Sequence, residues 1–466
     1  MQEQIYKNEG VSRRGFLKMM GVGAATMALA SCGVKKEQET TVKRGEGTMT
    51  YRTNPNTGDV VSLLGYGMMR LPTIQVGDAE NPRQEIDQES VNELVDYAIE
   101  HGINYFDTSP AYCQGRSETA TGIALSRHPR DKYFIATKMS NFSPDTWPRE
   151  KSIEMFEHSL QALQTDYIDY MLLHSVGGGG MDNFNTRYID NGILDYLQEQ
   201  KEQGRIRNLG FSYHGDIEVF DTLLRWMDEG RLHWDFVQIQ LNYVDWKHAK
   251  QANPRNTDAE YLYGELVRRD IPAVIMEPLL GGRLANVSSP IAAKMKQRRP
   301  DDSVASWAFR YAGTPADVLT VLSGMTYMEH LQENLATYSP LELITADEDE
   351  FLQRIALEYL DNKIIICNTC DYCMPCPYGL DIPGIFTHYN KCINNDNVPR
   401  DTRDPRYAAA RRAFLVGYDR AIDKSRQADR CISCGECVTH CPQSIDIPKE
   451  LRLIADYTQA LRRGKA

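Results

Sequence analysis

The sequence predicts an α/β chain: a (β/α)8 TIM barrel followed by a small, mainly α-helical domain. Three observations carry this expectation. Short apolar runs alternate with amphipathic stretches in eight units from Ser62 onward; such alternation calls for right-handed crossovers and a parallel sheet, and with eight repeats closure into a barrel is the economical solution. No G-x-G-x-x-G follows the first apolar run, which weakens the open doubly wound alternative. Of 11 cysteines, eight fall in two tight groups near the C-terminus, a distribution of metal or redox-cluster ligands and not of a disulfide scaffold.

At 466 residues the chain exceeds the usual single domain. Its net charge of -12 argues against nucleic acid as a partner, because neutralising phosphates needs a basic surface.

In chain order, residues 1–32 are set aside as a targeting segment. Ser12 to Lys18 reads SRRGFLK, and the apolar stretch Met19 to Ala30 is too short and too rich in Gly and Ala to span a bilayer comfortably. This resembles a twin-arginine export signal. Leu29-Ala30-Ser31-Cys32-Gly33 resembles a lipoprotein processing box, which implies a membrane tether by lipid on Cys32 and a periplasmic location. Residues 33–48 are polar and suit a flexible linker. Residues 49–345 make the barrel, opening with a turn-rich hairpin from Met49 to Asp59 and a first barrel strand over Ser62 to Met69. Further strands begin near 103, 133, 167, 206, 236, 271 and 318, with amphipathic helices between them. Residues 346–466 form the C-terminal domain, led by the helical run Ala346 to Leu360.

The chain is organised around Asn104 to Glu118, NYFDTSPAYCQGRSE. A buried strand broken by Ser109-Pro110 would send Asp107 and Tyr112 from its carboxyl end into one mouth, where barrel enzymes do their chemistry. Later strands end at Lys138, at His174 and at Ser212-Tyr213-His214. Alone, each residue has a bland reading as a cap, a packing ring, a solvated cation or an edge residue. Together, in this order and with five residues from Asp107 to Tyr112, they resemble the tetrad of the aldo/keto reductase family, over about Val60 to Tyr338.

The resemblance implies that Tyr112 gives a proton to a carbonyl oxygen, Lys138 stabilises the phenolate, Asp107 holds Lys138 charged, and His174 orients the carbonyl. It also implies NAD or NADP as cofactor. Ser212, Tyr213 and Gln238 match the positions that hold the nicotinamide amide, with Ser-Tyr in place of the usual Ser-Asn, while Met276 falls near the usual stacking ring. Gly281 and Gly282, in the loop EPLLGGRL, match the loop over the pyrophosphate. Gly324, Glu333 and Asn334 match the adenosine site. Gly324 and His330 stand where the family commonly has Lys and Arg for a 2'-phosphate, so a preference for NADPH is not implied.

Cys431, Cys434, Cys437 and Cys441 follow the C-x2-C-x2-C-x3-C-P run of bacterial ferredoxins, whose fourth cysteine ligates the other cluster. Cys367, Cys370, Cys373 and Cys376 repeat it with a last gap shorter by one. Both halves end in Cys-Pro, two residues, an aliphatic residue and Asp-Ile-Pro. By analogy one 4Fe-4S cluster takes Cys367, Cys370, Cys373 and Cys441, and a second takes Cys431, Cys434, Cys437 and Cys376. Zinc and disulfides are the competing uses of such cysteines. Cys392 has no assignment.

The expectation is therefore an exported oxidoreductase that interconverts a small-molecule carbonyl and an alcohol and exchanges electrons with a redox partner protein through two 4Fe-4S clusters. The competing class is a non-enzymatic electron-transfer or docking subunit with a degenerate barrel.

Overall fold

The computed structural model describes residues 48–77, 83–362, 364–399 and 401–465. The paired arginines, Cys32 and nearly all of the 33–48 linker lie outside the described residues.

Eight parallel strands close a barrel: β3 (Leu64–Gly67), β6 (Tyr105–Asp107), β7 (Phe134–Met139), β8 (Ile168–Val176), β9 (Ile206–Tyr213), β10 (Phe236–Gln240), β11 (Ala273–Met276) and β12 (Val318–Ser323). Neighbours follow chain order, and β12 closes the ring on β3. β7, β10, β11 and β12 are buried at nearly every position, as parallel strands covered on both faces must be. The expected Met49–Asp59 hairpin is present: β1 (Tyr51–Thr53) pairs antiparallel with β2 (Val60–Ser62). It closes the amino-terminal end of the barrel. Val61 joins a buried cluster with Tyr105, Tyr170 and Phe236, and the Tyr170 hydroxyl donates to Asp59 Oδ2 at 2.8 Å. A second hairpin was not foreseen: β4 (Thr73–Val76) pairs with β5 (Arg83–Ile86). Six of its eight strand residues are polar or exposed and none is buried, so no sustained apolar pattern marks it in the sequence.

The chain divides into two compact units. The first holds every barrel strand. The second comprises Asp347–Ala466 together with Asn242–Asn256 and Leu279–Ala308, which follow β10 and β11 in the chain. Those two segments are tied within that unit by Asn253 Nδ2 to Gln443 Oε1 at 3.1 Å, Lys294 to Glu358 at 2.6 Å and Arg299 to Glu348 at 3.3 Å.

The second unit is mainly helical, and its sequence repeat explains two of its helices. In each half the Asp of Asp-Ile-Pro caps a helix. Asp381 accepts the Gly384 N–H at the start of Ile382–Asn394, and Asp446 accepts the Lys449 N–H at the start of Ile447–Arg462. The proline falls in the first turn, where its missing N–H costs nothing. Behind these caps, Leu380, Phe386, Ile447, Leu451 and Ile454 form a core with Tyr418 of helix Tyr407–Ala421, and six of the cluster cysteines pack against it.

Candidate functional site

The barrel brings the four expected residues together. Asp107 is the last residue of β6, Lys138 lies one before the end of β7, and His174 lies two before the end of β8. Tyr112 opens the single turn Tyr112–Gly115 that follows β6. All four side chains are buried.

Lys138 Nζ donates to Asp107 Oδ1 at 2.6 Å, to Oδ2 at 2.7 Å and to the Thr108 carbonyl at 2.8 Å. Three acceptors compensate a fully buried ammonium, and this is the arrangement that lets a buried ion pair persist. Burial pushes Asp107 up and Lys138 down, and the ion pair opposes both shifts. Lys138 Nζ also stands 4.9 Å from the centroid of the Tyr112 ring. His174 meets the same ring edge-on at 5.9 Å. Burial first, then the Lys138 and Arg187 charges, hold the His174 imidazole well below its usual range, so it is neutral near pH 7.

Several groups at this site carried no signal in the sequence. Ser140 Oγ lies 2.6 Å from His174 Nδ1, and Ser109 Oγ lies 3.3 Å from it and 2.9 Å from Ser140 Oγ. With Nδ1 engaged by hydroxyls, Nε2 is the ring nitrogen left for a substrate. Glu118, in the stretch that organises the chain, accepts from Thr137 Oγ1 at 2.5 Å, and burial pushes its carboxyl up to about 7.

The residues matched to a nicotinamide nucleotide are brought together in part. Gln238 is buried in β10 with Nε2 3.4 Å from Met276 Sδ, while its Oε1 has no hydrogen-bond partner. A buried orphan acceptor fits the amide donor of a nicotinamide ring. Ser212 Oγ accepts the Ser175 N–H at 2.9 Å. Tyr213 is turned elsewhere: its hydroxyl donates to the Gly215 carbonyl at 2.6 Å and its ring packs on Phe220. Successive strand residues face opposite sides, so Ser212 and Tyr213 do not share a face.

At Gly324 the side chain of Arg70 fills the adjoining space, with Cβ, Cγ and Cδ 3.2–3.3 Å from where a Cβ would stand. The stem of Arg70, from the loop after β3, thus packs beside the position where the family commonly has a lysine. Asn334 is buried and donates to Ser323 Oγ at 3.0 Å, whereas Glu333 is exposed. In the second unit, a Cβ on Gly281 would lie 2.4 Å from Asn368 Cα, whereas Gly282 is open.

The cysteines sort across the two halves of the repeat. Cys367, Cys370, Cys373 and Cys441 line one cavity of about 320 Å³, counting space at its mouth, with Phe386 and Ile445 on its walls. Burial pushes the Cys437 thiol up to about 11, with Cys431, Cys434 and Cys376 acting as like-charged neighbours. Both groupings join three cysteines of one half to the last cysteine of the other. No described cysteine is in a disulfide. Among the described residues no three His, Cys, Asp or Glu side chains converge as on a single metal ion. A 4Fe-4S cluster, which takes four cysteines around a body of several atoms, asks for thiols spread about a cavity, and this donor set fits that need. Cys392 is interior: it packs with Phe414 and Leu461, and its Sγ lies 3.4 Å from His388 Nε2.

Comparison with known proteins agrees with this geometry. The chain is 25% identical over 310 residues to L-galactose dehydrogenase of Arabidopsis thaliana, covering 63% of this chain and 89% of the relative. It is 24% identical over 329 residues to the NADH-specific methylglyoxal reductase of Escherichia coli, covering 63% and 95%. D-arabinose 1-dehydrogenase of Saccharomyces cerevisiae is 34% identical over 152 residues, covering 30% and 42%. An aldo-keto reductase of Bacillus halodurans superposes with a TM-score of 0.50 at 23% identity, over 66% of this chain and 96% of that one, a likeness of fold. The 4Fe-4S dicluster domain profile matches residues 366–445, and the aldo/keto reductase profile matches residues 63–360. The chain belongs to the aldo/keto reductase family, an oxidoreductase of carbonyl and alcohol substrates that carries a C-terminal 4Fe-4S dicluster domain.

Proposed function

We propose that the protein reduces a small polar carbonyl compound, or oxidises the matching alcohol, with Tyr112 as the proton donor. The observation that carries this is the buried Lys138 ammonium, gripped by both oxygens of Asp107 and placed 4.9 Å from the Tyr112 ring. A phenol with a reference pKa of ~10 is a poor acid near neutrality unless a cation stabilises its phenolate. Lys138 is that cation, and Asp107 with the Thr108 carbonyl fixes its position. Neutral His174, its Nδ1 occupied by Ser140, offers Nε2–H to the carbonyl oxygen, polarising the carbon and setting its face. Tyr112 then delivers the proton to the same oxygen as the carbon is reduced. In oxidation it takes the proton back.

Gln238 and Ser212 in the barrel, with Arg70 beside Gly324, are the groups that would hold NAD or NADP. The two crossed cysteine sets would hold two 4Fe-4S clusters. When bound, the nucleotide supplies a hydride and the clusters supply single-electron exchange with a redox partner protein. Two of the relatives are named for sugars and one for methylglyoxal, which supports a small, polyoxygenated substrate. We further propose that the twin-arginine motif exports the folded protein and that lipid on Cys32 tethers it to the membrane.

The test is Tyr112→Phe in the cluster-loaded protein, assayed on a panel of small aldehydes, dicarbonyls and aldoses with each nucleotide. Loss of turnover by about two to four orders of magnitude, the usual worth of a general acid, with unchanged cluster spectra supports the assignment. Undiminished turnover in the variant would remove Tyr112 from the chemistry.

A further inference from the structure

Arg187 is a buried cation with no carboxylate beside it. It sits in the π-helical turn Asn185–Ile189 and is 3% exposed. Its guanidinium donates to the His174 carbonyl at 2.7 Å, to the Asn141 carbonyl at 3.1 Å and to the Tyr188 hydroxyl at 2.6 Å. Among the described residues all its hydrogen-bond partners are neutral. It also stacks 5.1 Å from the ring of Phe142, which in turn covers the His174 ring at 4.8 Å. Phe142 is 39% exposed, so it forms a wall between this cation and solvent at the place where a carbonyl would meet His174.

Elsewhere around the centre the charges offset one another, and the remaining acid, Glu118, is bonded to Thr137 on the Lys138 strand and interacts with Lys138. Lys138 is matched by Asp107, and His174 is neutral. A buried charge without a counter-ion is costly to keep, and within low-dielectric walls its field is only weakly screened by salt. The centre is therefore biased positive on the Phe142 side.

We propose that Arg187 makes the pocket over His174 and Phe142 select carbonyl compounds that carry an anionic group, such as a carboxylate, a few atoms from the carbonyl. The substrate brings the missing counter-charge, and the field of Arg187 orients it with the carbonyl toward Nε2 of His174. This rests on the reading of Tyr112 and His174 as the reacting centre and adds the substrate class to it.

The experiment compares succinic semialdehyde with butanal, which differ in a terminal carboxylate against a methyl, in wild type, Arg187→Lys and Arg187→Met. In wild type kcat/KM should favour the charged aldehyde by about tenfold or more, and Arg187→Met should erase that preference while Arg187→Lys retains part of it. If Arg187 serves only to hold the His174 carbonyl, Arg187→Met slows both aldehydes alike and the ratio stays, which overturns the proposal. Binding of butyrate and of butyramide by calorimetry gives a readout independent of turnover. Tighter butyrate in wild type but not in Arg187→Met sustains the inference even if neither aldehyde is reduced, an outcome that would count against the proposed reaction alone. Equal binding of the two in wild type overturns it.

Discussion

At the scale of single residues, Glu118 is a buried acid whose perturbed protonation stability can report. It is buried and bonded to Thr137 on the strand that carries Lys138, and its carboxyl is pushed up to about 7 from 4.5. A carboxyl raised on folding stabilises the protein fully below the unfolded value near 4.5, and that contribution is lost as pH rises through about 7. Glu118→Gln removes this dependence. Between pH 5 and pH 8, urea unfolding should show wild type losing about 2.5 kcal/mol relative to the variant; parallel pH profiles for the two proteins would contradict it. The tetrad residues were legible because a strand end is where an apolar run stops, and a polar residue there stands out. Arg187, Ser140 and Arg70 were not, because their relation to His174 and Gly324 is made by chain closure across the barrel. Tyr213 was misplaced for a different reason: motif matching by position ignores the two-residue parity of a strand, and parity sends its ring to Phe220.

At the scale of elements, the repeated Asp-Ile-Pro was visible in the sequence as the end of a repeat, and its use as helix cap and first-turn proline emerges only with the structure, although both are local signals. The β4–β5 hairpin was not visible, because its strands are solvent-facing and four residues long, with apolar residues only at Ile74, Val76 and Ile86. The loop after β11 mixes the two cases. Its paired glycines suggested close approach to a phosphate, yet the close approach observed at Gly281 is to the backbone of Asn368, between Cys367 and Thr369. The two glycines therefore differ in what they tolerate. Gly282, at φ 90° with open space around it, should accept alanine at a cost of about 1–2 kcal/mol for the left-handed backbone. Gly281, at φ 66° against Asn368 Cα, adds a clash with main chain that cannot rotate away, and Gly281→Ala should cost about 3 kcal/mol or more. Denaturation of the cluster-loaded protein distinguishes them, and equal losses would show that the Asn368 contact is not rigid.

At the scale of the whole molecule, the barrel chemistry moves electrons in pairs as hydride, whereas iron–sulfur clusters move them singly. Export adds a second tension, because free nicotinamide nucleotides are expected in the cytoplasm while the proposed site of action lies beyond it. The second tension eases if the nucleotide is captured before export and stays bound. On the proposed crossed ligation, each cluster would take a cysteine from both halves of the repeat, so the domain would reach its final form only with both clusters seated, an order that suits the proposed export of an already folded protein. Protein purified from the exported fraction without oxygen, then denatured, should release near-stoichiometric NAD or NADP together with about eight irons, the content of two 4Fe-4S clusters. Mass analysis of the released nucleotide also tests whether Arg70 beside Gly324 serves in place of the expected lysine, since NADP is the form that needs a cation for its 2'-phosphate. Iron without nucleotide would mean that the barrel exchanges its cofactor with solution, and the captive scheme would then fail while the assignment of Tyr112 could still stand on its own test.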